Sequence, residues 1–286
     1  MKVLAINGSN GFLGRQICKY FENKYHIIRI NRNDYLLPPA LLANKISSAD
    51  IVINMAGARI PLVSTKRYRR IMYESRISTT SNLVNAIEIL YKKSIIFISM
   101  SAVGIYDYAN IHDENSDNFG TDFLSRLCID WELAGRSELL PDSVTIRSGI
   151  VLSREGGFFK RIKLPFSLGM GVIIGNGTQP LPFIHLQDFL RAIDFVIDRH
   201  LTGIINFVAP TFCSNLGFSR TLSHELKRPL LFRFPSFLIK IFMGEQSSMF
   251  LEGQNVKPKK LMDNGFMFMF PDIERALTNL LNTDHS

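Results

Sequence analysis

Gly8, Gly11 and Gly14 fall at three-residue intervals, directly after the apolar run Val3-Leu4-Ala5-Ile6 and across the start of a helix-like pattern in Phe12, Leu13 and Ile17. A strand, a glycine turn and a helix in that order make a site for the pyrophosphate of a dinucleotide. A side chain at Gly8 would hinder the turn, one at Gly11 would hold the backbone off the phosphates, and one at Gly14 would push the helix off its strand. The helix N-terminus adds unpaired N–H groups and the positive end of its dipole. No Gly-Lys-Ser/Thr follows, which argues against a P-loop nucleotidase.

Which dinucleotide is bound depends on the end of the next strand, His26-Ile27-Ile28-Arg29-Ile30. An acidic residue there would bind the adenosine ribose, whereas an arginine accommodates a 2′-phosphate. Arg32 comes directly after the strand and Asp34 two residues later, so the sequence favours NADP(H) over NAD(H). Farther along, Ser99-Met100-Ser101-Ala102-Val103-Gly104-Ile105-Tyr106 follows the apolar run Ile95-Ile96-Phe97-Ile98. Ligands of open parallel sheets bind at the carboxyl ends of strands, which makes Ser101 and Tyr106 the candidate catalytic residues. Ser101 could hydrogen-bond a substrate carbonyl and Tyr106 could line the same cleft; either hydroxyl could instead satisfy loop backbone.

The elements that must position these residues alternate. Residues 50–57 read as a buried strand ending in the small residues Ala56 and Gly57, residues 65–92 as helix, and residues 144–152 as a strand passing Gly149 close to the nicotinamide. Such alternation predicts an α/β fold, a doubly wound parallel sheet of the Rossmann type with helices on both faces. In the second half, residues 204–208 and 228–232 read as strands. Ser214 caps a helix, 237–243 is an apolar helix open to packing or to a membrane or partner contact, and a last helix starts at Pro271. His185 and Asp188 mark another helix start, with Asp188 favoured there by the dipole.

The 286 residues are 46% hydrophobic with a net charge of +8. That composition is globular, and the charge suits an anionic ligand or an acidic surface. No apolar run reaches membrane-spanning length and the N-terminus does not read as a signal sequence, so a soluble, cytoplasmic protein is expected. Cys18, Cys128 and Cys213 lack CxxC spacing, and are expected to be buried thiols. The basic run of residues 66–70 reads as a solvated helix face rather than a nucleic-acid site.

Over nearly its whole length the chain resembles an extended or atypical short-chain dehydrogenase/reductase of the epimerase-like branch, the NAD-dependent epimerase/dehydratase proteins. The resemblance rests on NGSNGFLGR, INMAGA, ESRISTT, SMSAVGIYD, FLSRLCIDWE, IRSGIVL, FIHLQDF, EGQNVKPKKL and GFMFMFPDIERAL. It implies an NADP-binding Rossmann domain over residues 1–152 and a smaller C-terminal α/β substrate domain over 153–286, some of whose strands and helices complete the Rossmann core. It also implies cofactor contacts from Gly8, Asn10, Gly11, Phe12, Leu13, Arg32, Ala56, Gly57, Arg76 and Ser99.

The wider superfamily uses a Tyr-x-x-x-Lys pair in which the lysine lowers the tyrosine pKa. Aligned on Glu132, those positions hold Leu124 and Cys128; the literal Tyr20 and Lys24 pair lies at the end of the first helix. If another group carries the proton, Ser101, Tyr106 and His185 are the nearest candidates. The expected function is therefore an NADP(H)-dependent, epimerase-like oxidoreductase acting on a small carbonyl, hydroxyl or nucleotide-sugar-like substrate. Its rival is a non-catalytic NADP(H)-binding protein with a redox-sensing or regulatory role. The expected partner is a small-molecule substrate, with no nucleic acid and no membrane span; a homodimer is compatible with this reading.

Overall fold

The computed structural model describes residues 1–61, 65–90, 95–243 and 247–282. In chain order the first half runs β1 (Val3–Asn7), α1 (Phe12–Phe21), β2 (His26–Ile30), α2 (Pro39–Ile46), β3 (Ile51–Asn54), α3 (Lys66–Glu74), α4 (Ile77–Ile89), β4 (Ile96–Ala102), β5 (Ile111–His112) and α5 (Phe123–Ala134). The second half runs β6 (Val144–Ser148), β7 (Ile150–Leu152), α6 (Gly157–Ser167), β8 (Val172–Ile174), β9 (Phe183–His185), α7 (Leu186–Asp198), β10 (Gly203–Phe207), α8 (Asn215–Glu225), β11 (Phe232–Phe234), α9 (Ser236–Met243), α10 (Ser248–Leu251), β12 (Asn255–Val256), α11 (Lys259–Asp263) and α12 (Ile273–Asn282). Among the described residues no helix is long and apolar enough to cross a membrane.

The fold is the doubly wound α/β arrangement expected, a parallel central sheet with helices on both faces. Its six strands lie in the order β10-β6-β4-β3-β1-β2. β1 pairs in parallel with both β2 and β3, and β3 with β4. The chain therefore winds outward in two directions from β1, and the point of reversal lies between β1 and β3, where doubly wound sheets open a crevice for ligands. The apolar runs of β1, β3 and β4 are buried on both faces, as crossover helices require, while β2 at the edge is only partly buried.

Two compact units divide the chain. Unit 1 comprises Met1–Ile105, Asp122–Arg147 and Ile193–Ile205. Part of its core lies where α2 and α4 pack on the sheet, around Leu42, Ile46, Val52, Leu83, Ile87 and Phe97. Unit 2 comprises Tyr106–Thr121, Ser148–Ala192 and Asn206–Ser286. Its core gathers Phe159, Phe183, Phe218, Leu222, Leu277 and Leu280.

Three local expectations change. The helical stretch from residue 65 is two helices, α3 and α4, with Ser75 and Arg76 between them; residues 91 and 92 of that expectation lie outside the described residues. The strand of residues 144–152 breaks at Gly149, so β7 leaves the main sheet and pairs with β9. A Cβ at Gly149 would stand 2.7 Å from the Pro182 carbonyl oxygen, and the close approach that glycine allows there bends the chain toward β9. The strand expected over 228–232 is instead β11 at Phe232–Phe234, paired with β8; Pro229 has no N–H to give a ladder.

Candidate cofactor and substrate site

β1 ends in Asn7 and turns at Gly8, whose φ of +83° is open to glycine at little cost. A Cβ on Gly8 would lie 2.9 Å from the Met55 carbonyl and the Ala56 nitrogen, and one on Gly14 would lie 2.2 Å from the Gly8 oxygen. Gly8 thus lets the turn sit against the end of β3 at the point of reversal, and Gly14 lets α1 pack closely on the turn. No side chain caps α1, and its first turn holds no acidic residue. The leading N–H groups of α1, from Phe12 and Leu13 onward, therefore face their surroundings without a side-chain acceptor, as an incoming pyrophosphate requires. Asn10 is exposed beside them, its carbonyl accepting a 2.5 Å hydrogen bond from Arg15.

Arg32 and Asp34 occupy a short 3-10 turn, Arg32–Leu36. The Asp34 carboxylate accepts the Asn31 N–H at 2.5 Å and pairs with Lys45 Nζ at 2.6 Å. It is engaged by its own turn. Arg32 is exposed and makes no ion pair among the described residues.

β1 and β3 end in polar residues, and these share one register row with Ser99 inside β4, Asn7 opposite Asn54 and Asn54 opposite Ser99. Asn7 Nδ2 donates to Asn54 Oδ1 at 2.9 Å, and Asn54 Nδ2 donates to Thr80 Oγ1 at 2.7 Å. Trp131 Nε1 donates to the same Thr80 oxygen at 3.0 Å. This buried network fixes the carboxyl edge of the sheet, with Ser99 at its end and Ala56 held through its N–H on Asn54. Sequence reasoning passed over Asn7, Thr80 and Trp131. The signal was the repeated ending of an apolar run on a polar residue, in VLAIN, IVIN and IFIS.

Arg76 lies beneath Gly57. A Cβ on that glycine would meet the guanidinium carbon at 3.0 Å, so the missing side chain is what admits the arginine. The guanidinium donates to the Ala58 and Met72 carbonyls and stacks 5.0 Å from the Trp131 ring. Burial lowers its pKa from the usual arginine range.

Ser101 is buried and donates to Glu132 Oε1 at 2.7 Å. Arg147 holds both oxygens of the same carboxylate, with Nε to Oε1 and Nη2 to Oε2 each at 2.8 Å. A carboxylate in such a fork has no proton to give, so the Ser101 proton points at Glu132 and the Ser101 lone pairs point elsewhere. One helical turn before Glu132, Cys128 is also buried. Its thiol is pushed up to about 12 by burial and by the Glu132 charge, which outweigh the opposing pull of Arg76. Leu124 is half-buried on the same helix.

Tyr106 belongs to unit 2 and is fully buried. Its hydroxyl lies 3.0 Å from both the Asp113 carbonyl oxygen and Asn206 Oδ1, and its ring stacks on His112 with centroids 4.6 Å apart. Both neighbours are acceptors, and one O–H serves them. In the same unit His185 packs on Phe270, and Asp188 accepts the N–H groups of Met269 and Phe270 at 2.9 and 2.8 Å. Asp188 thereby anchors the segment before α12.

Residues 234–280 match the family model described as a domain of unknown function, DUF1731. The epimerase family protein SDR39U1 of mouse is 32% identical over 98% of this chain and 100% of its own length. An epimerase family protein of Staphylococcus saprophyticus is 33% identical over 99% of this chain and 100% of its own. The solved structure of human SDR39U1 with NADPH superposes with a TM-score of 0.86 at 28% identity, covering 98% of this chain and 99% of that one. With the Rossmann sheet and the glycine turn already in place, these full-length likenesses show that the chain belongs to the epimerase family of short-chain dehydrogenase/reductase proteins.

Proposed function

We propose that this protein binds NADP(H) and acts as an epimerase-like oxidoreductase on a small, hydroxyl- or carbonyl-bearing substrate of nucleotide-sugar type. The observation that carries the cofactor choice is the turn after β2: Asp34 is engaged by Asn31 and Lys45, which leaves Arg32 to meet a 2′-phosphate. The NADPH in the human relative supports the same choice. Gly8, Asn10, Gly11, Phe12 and Leu13 would hold the pyrophosphate, and Ala56, Gly57, Arg76 and Ser99 the floor beside it.

When bound, the nicotinamide supplies hydride transfer. Ser101 is assigned the substrate contact. Because Glu132 takes its proton, Ser101 accepts a hydrogen bond and orients a substrate hydroxyl rather than polarising a carbonyl. Tyr106, with two acceptors already at 3.0 Å, is assigned to hold its loop. Calorimetric titration with NADPH, NADP, NADH and NAD tests the cofactor assignment. NADPH should bind more tightly than NADH, and Arg32→Ala should weaken NADPH by about tenfold or more while sparing NADH. Equal losses for both would remove the 2′-phosphate role.

A second reading, an NADP(H)-binding protein without turnover that senses redox state or engages a partner, is favoured by Leu124 and by the Cys128 thiol. Neither can replace a tyrosine and lysine as proton carriers near neutral pH. NADPH binding without oxidation of any alcohol or reduction of any carbonyl in a substrate screen would favour it.

A further inference from the structure

Unit 2 carries an apolar face that its own core does not cover. β11 pairs with β8 as a two-stranded ribbon, and both Phe232 and Phe234 stand exposed on it. Leu231 before the ribbon is 75% exposed. In α9, Ile239 is buried while Phe237 and Ile241, one helical turn apart, are 60% and 71% exposed. The helix is thus anchored through one side and presents large apolar groups on another. Leu168, in the bend between α6 and β8, is also exposed, and a Cβ added at the next residue, Gly169, would reach Pro229 at 3.9 Å. So many large apolar side chains exposed on two paired strands and the segments next to them are what soluble domains ordinarily avoid.

Charge identifies the occupant. Residues 156–175 and 226–243, the two segments that β8 and β11 join, hold seven Lys or Arg and no Asp or Glu, against a net charge of +8 for the whole chain. Lys160, Arg161, Lys227, Arg228 and Arg233 are exposed, and none forms an ion pair among the described residues. Exposed apolar side chains, aromatic ones foremost, on segments rich in exposed cations and free of acids match the boundary of an anionic bilayer: acyl chains take the former and lipid phosphates the latter. A second copy of this chain would bring the same positive charge to the contact. We propose that this face of unit 2 docks the protein peripherally on an anionic membrane surface.

Co-sedimentation of the full chain with phosphatidylcholine vesicles, with and without one-third phosphatidylserine, tests this. Binding to the acidic vesicles should exceed binding to neutral ones at least tenfold and should fall as salt is raised. Replacing Lys160, Arg161, Arg228 and Arg233 by Gln should lower it about fivefold for each charge removed. The variant Phe232→Ser/Phe237→Ser/Ile241→Ser should lose it, with Tm unchanged because all three side chains are already exposed. The proposal is overturned if the wild-type chain ignores acidic vesicles, binds neutral ones equally, or if both variants bind as the wild type does. It also falls if sedimentation equilibrium shows a dimer that the apolar variant abolishes while no vesicle binding is seen, since the face would then join two copies.

Discussion

Ser101 and Tyr106 lie five residues apart in sequence and both are buried, yet the two units surround their hydroxyls differently. Unit 1 places Ser101 against an ion pair, Glu132 with Arg147. Unit 2 places Tyr106 between a backbone carbonyl and an amide oxygen, with His112 stacked on its ring. A charged neighbour fixes the direction of a proton, because a carboxylate accepts and never donates; neutral acceptors hold a side chain in place without biasing its chemistry. On the function proposed above, unit 1's hydroxyl orients a ligand and unit 2's supports a loop.

Cutting the charge pair should have the largest effect. Arg147→Met leaves the Glu132 carboxylate buried beside Ser101 without its cation, and should cost about 3–5 kcal/mol in urea unfolding. Adding Glu132→Gln to that variant should recover part of the loss, because the uncompensated charge is gone. If the double variant is less stable than the single one by a full further increment, the pair does not act as a unit. Cofactor titration of the folded double variant would then separate scaffold from site: NADPH binding should persist, while turnover of an alcohol substrate should fall through kcat.

Unit 2 also buries a histidine, His185, and pH tests whether its imidazole stays neutral there. Burial, reinforced by Arg154, pulls the His185 pKa from 6.5 down to about 4. As pH falls below 6.5 the unfolded chain takes up a proton that the folded chain refuses, so this residue's contribution is complete above 6.5 and is lost on the way to 4. The loss should reach roughly 3 kcal/mol. The urea midpoint followed downward from neutral pH should therefore fall faster for the wild type than for His185→Gln, and parallel curves would place a protonated imidazole in the folded state.

How far these environments were legible in the sequence differs between the units for a physical reason. The glycine turn, the apolar strands and their alternation with helices are local patterns, and the sheet built from them follows the pattern closely. Arg32 and Asp34 could be named from their distance to β2. That Asp34 would turn back on Asn31 and take Lys45 depends on a 3-10 turn and on α2, and no spacing announces it. Glu132 and Arg147 come from α5 and β6, so their meeting under Ser101 is a product of tertiary packing. The break at Gly149 was visible as a glycine, but its consequence required Pro182 to arrive from 33 residues away. Asn7, Asn54 and Ser99 were readable in principle, since strand register aligns the ends of three runs of similar length.

The smallest effect belongs to Tyr106, and it sharpens the contrast between support and chemistry. Tyr106→Phe keeps the ring, its packing and the stack on His112, and removes only the hydroxyl with the proton it shares. Asn206 Oδ1 and the Asp113 carbonyl then lose a buried donor, which should cost about 1–3 kcal/mol in thermal or urea unfolding. Asn206 still donates to the Lys257 carbonyl and its N–H still reaches Glu114, so the loop has other ties and the fold should survive. For a supporting hydroxyl, the loss of stability comes with an unchanged KM and an unchanged pH profile of kcat for any substrate the protein turns over. A shift of that profile in Tyr106→Phe would instead mean that the tyrosine proton takes part in the reaction, and the division of labour between the two hydroxyls would have to be reversed.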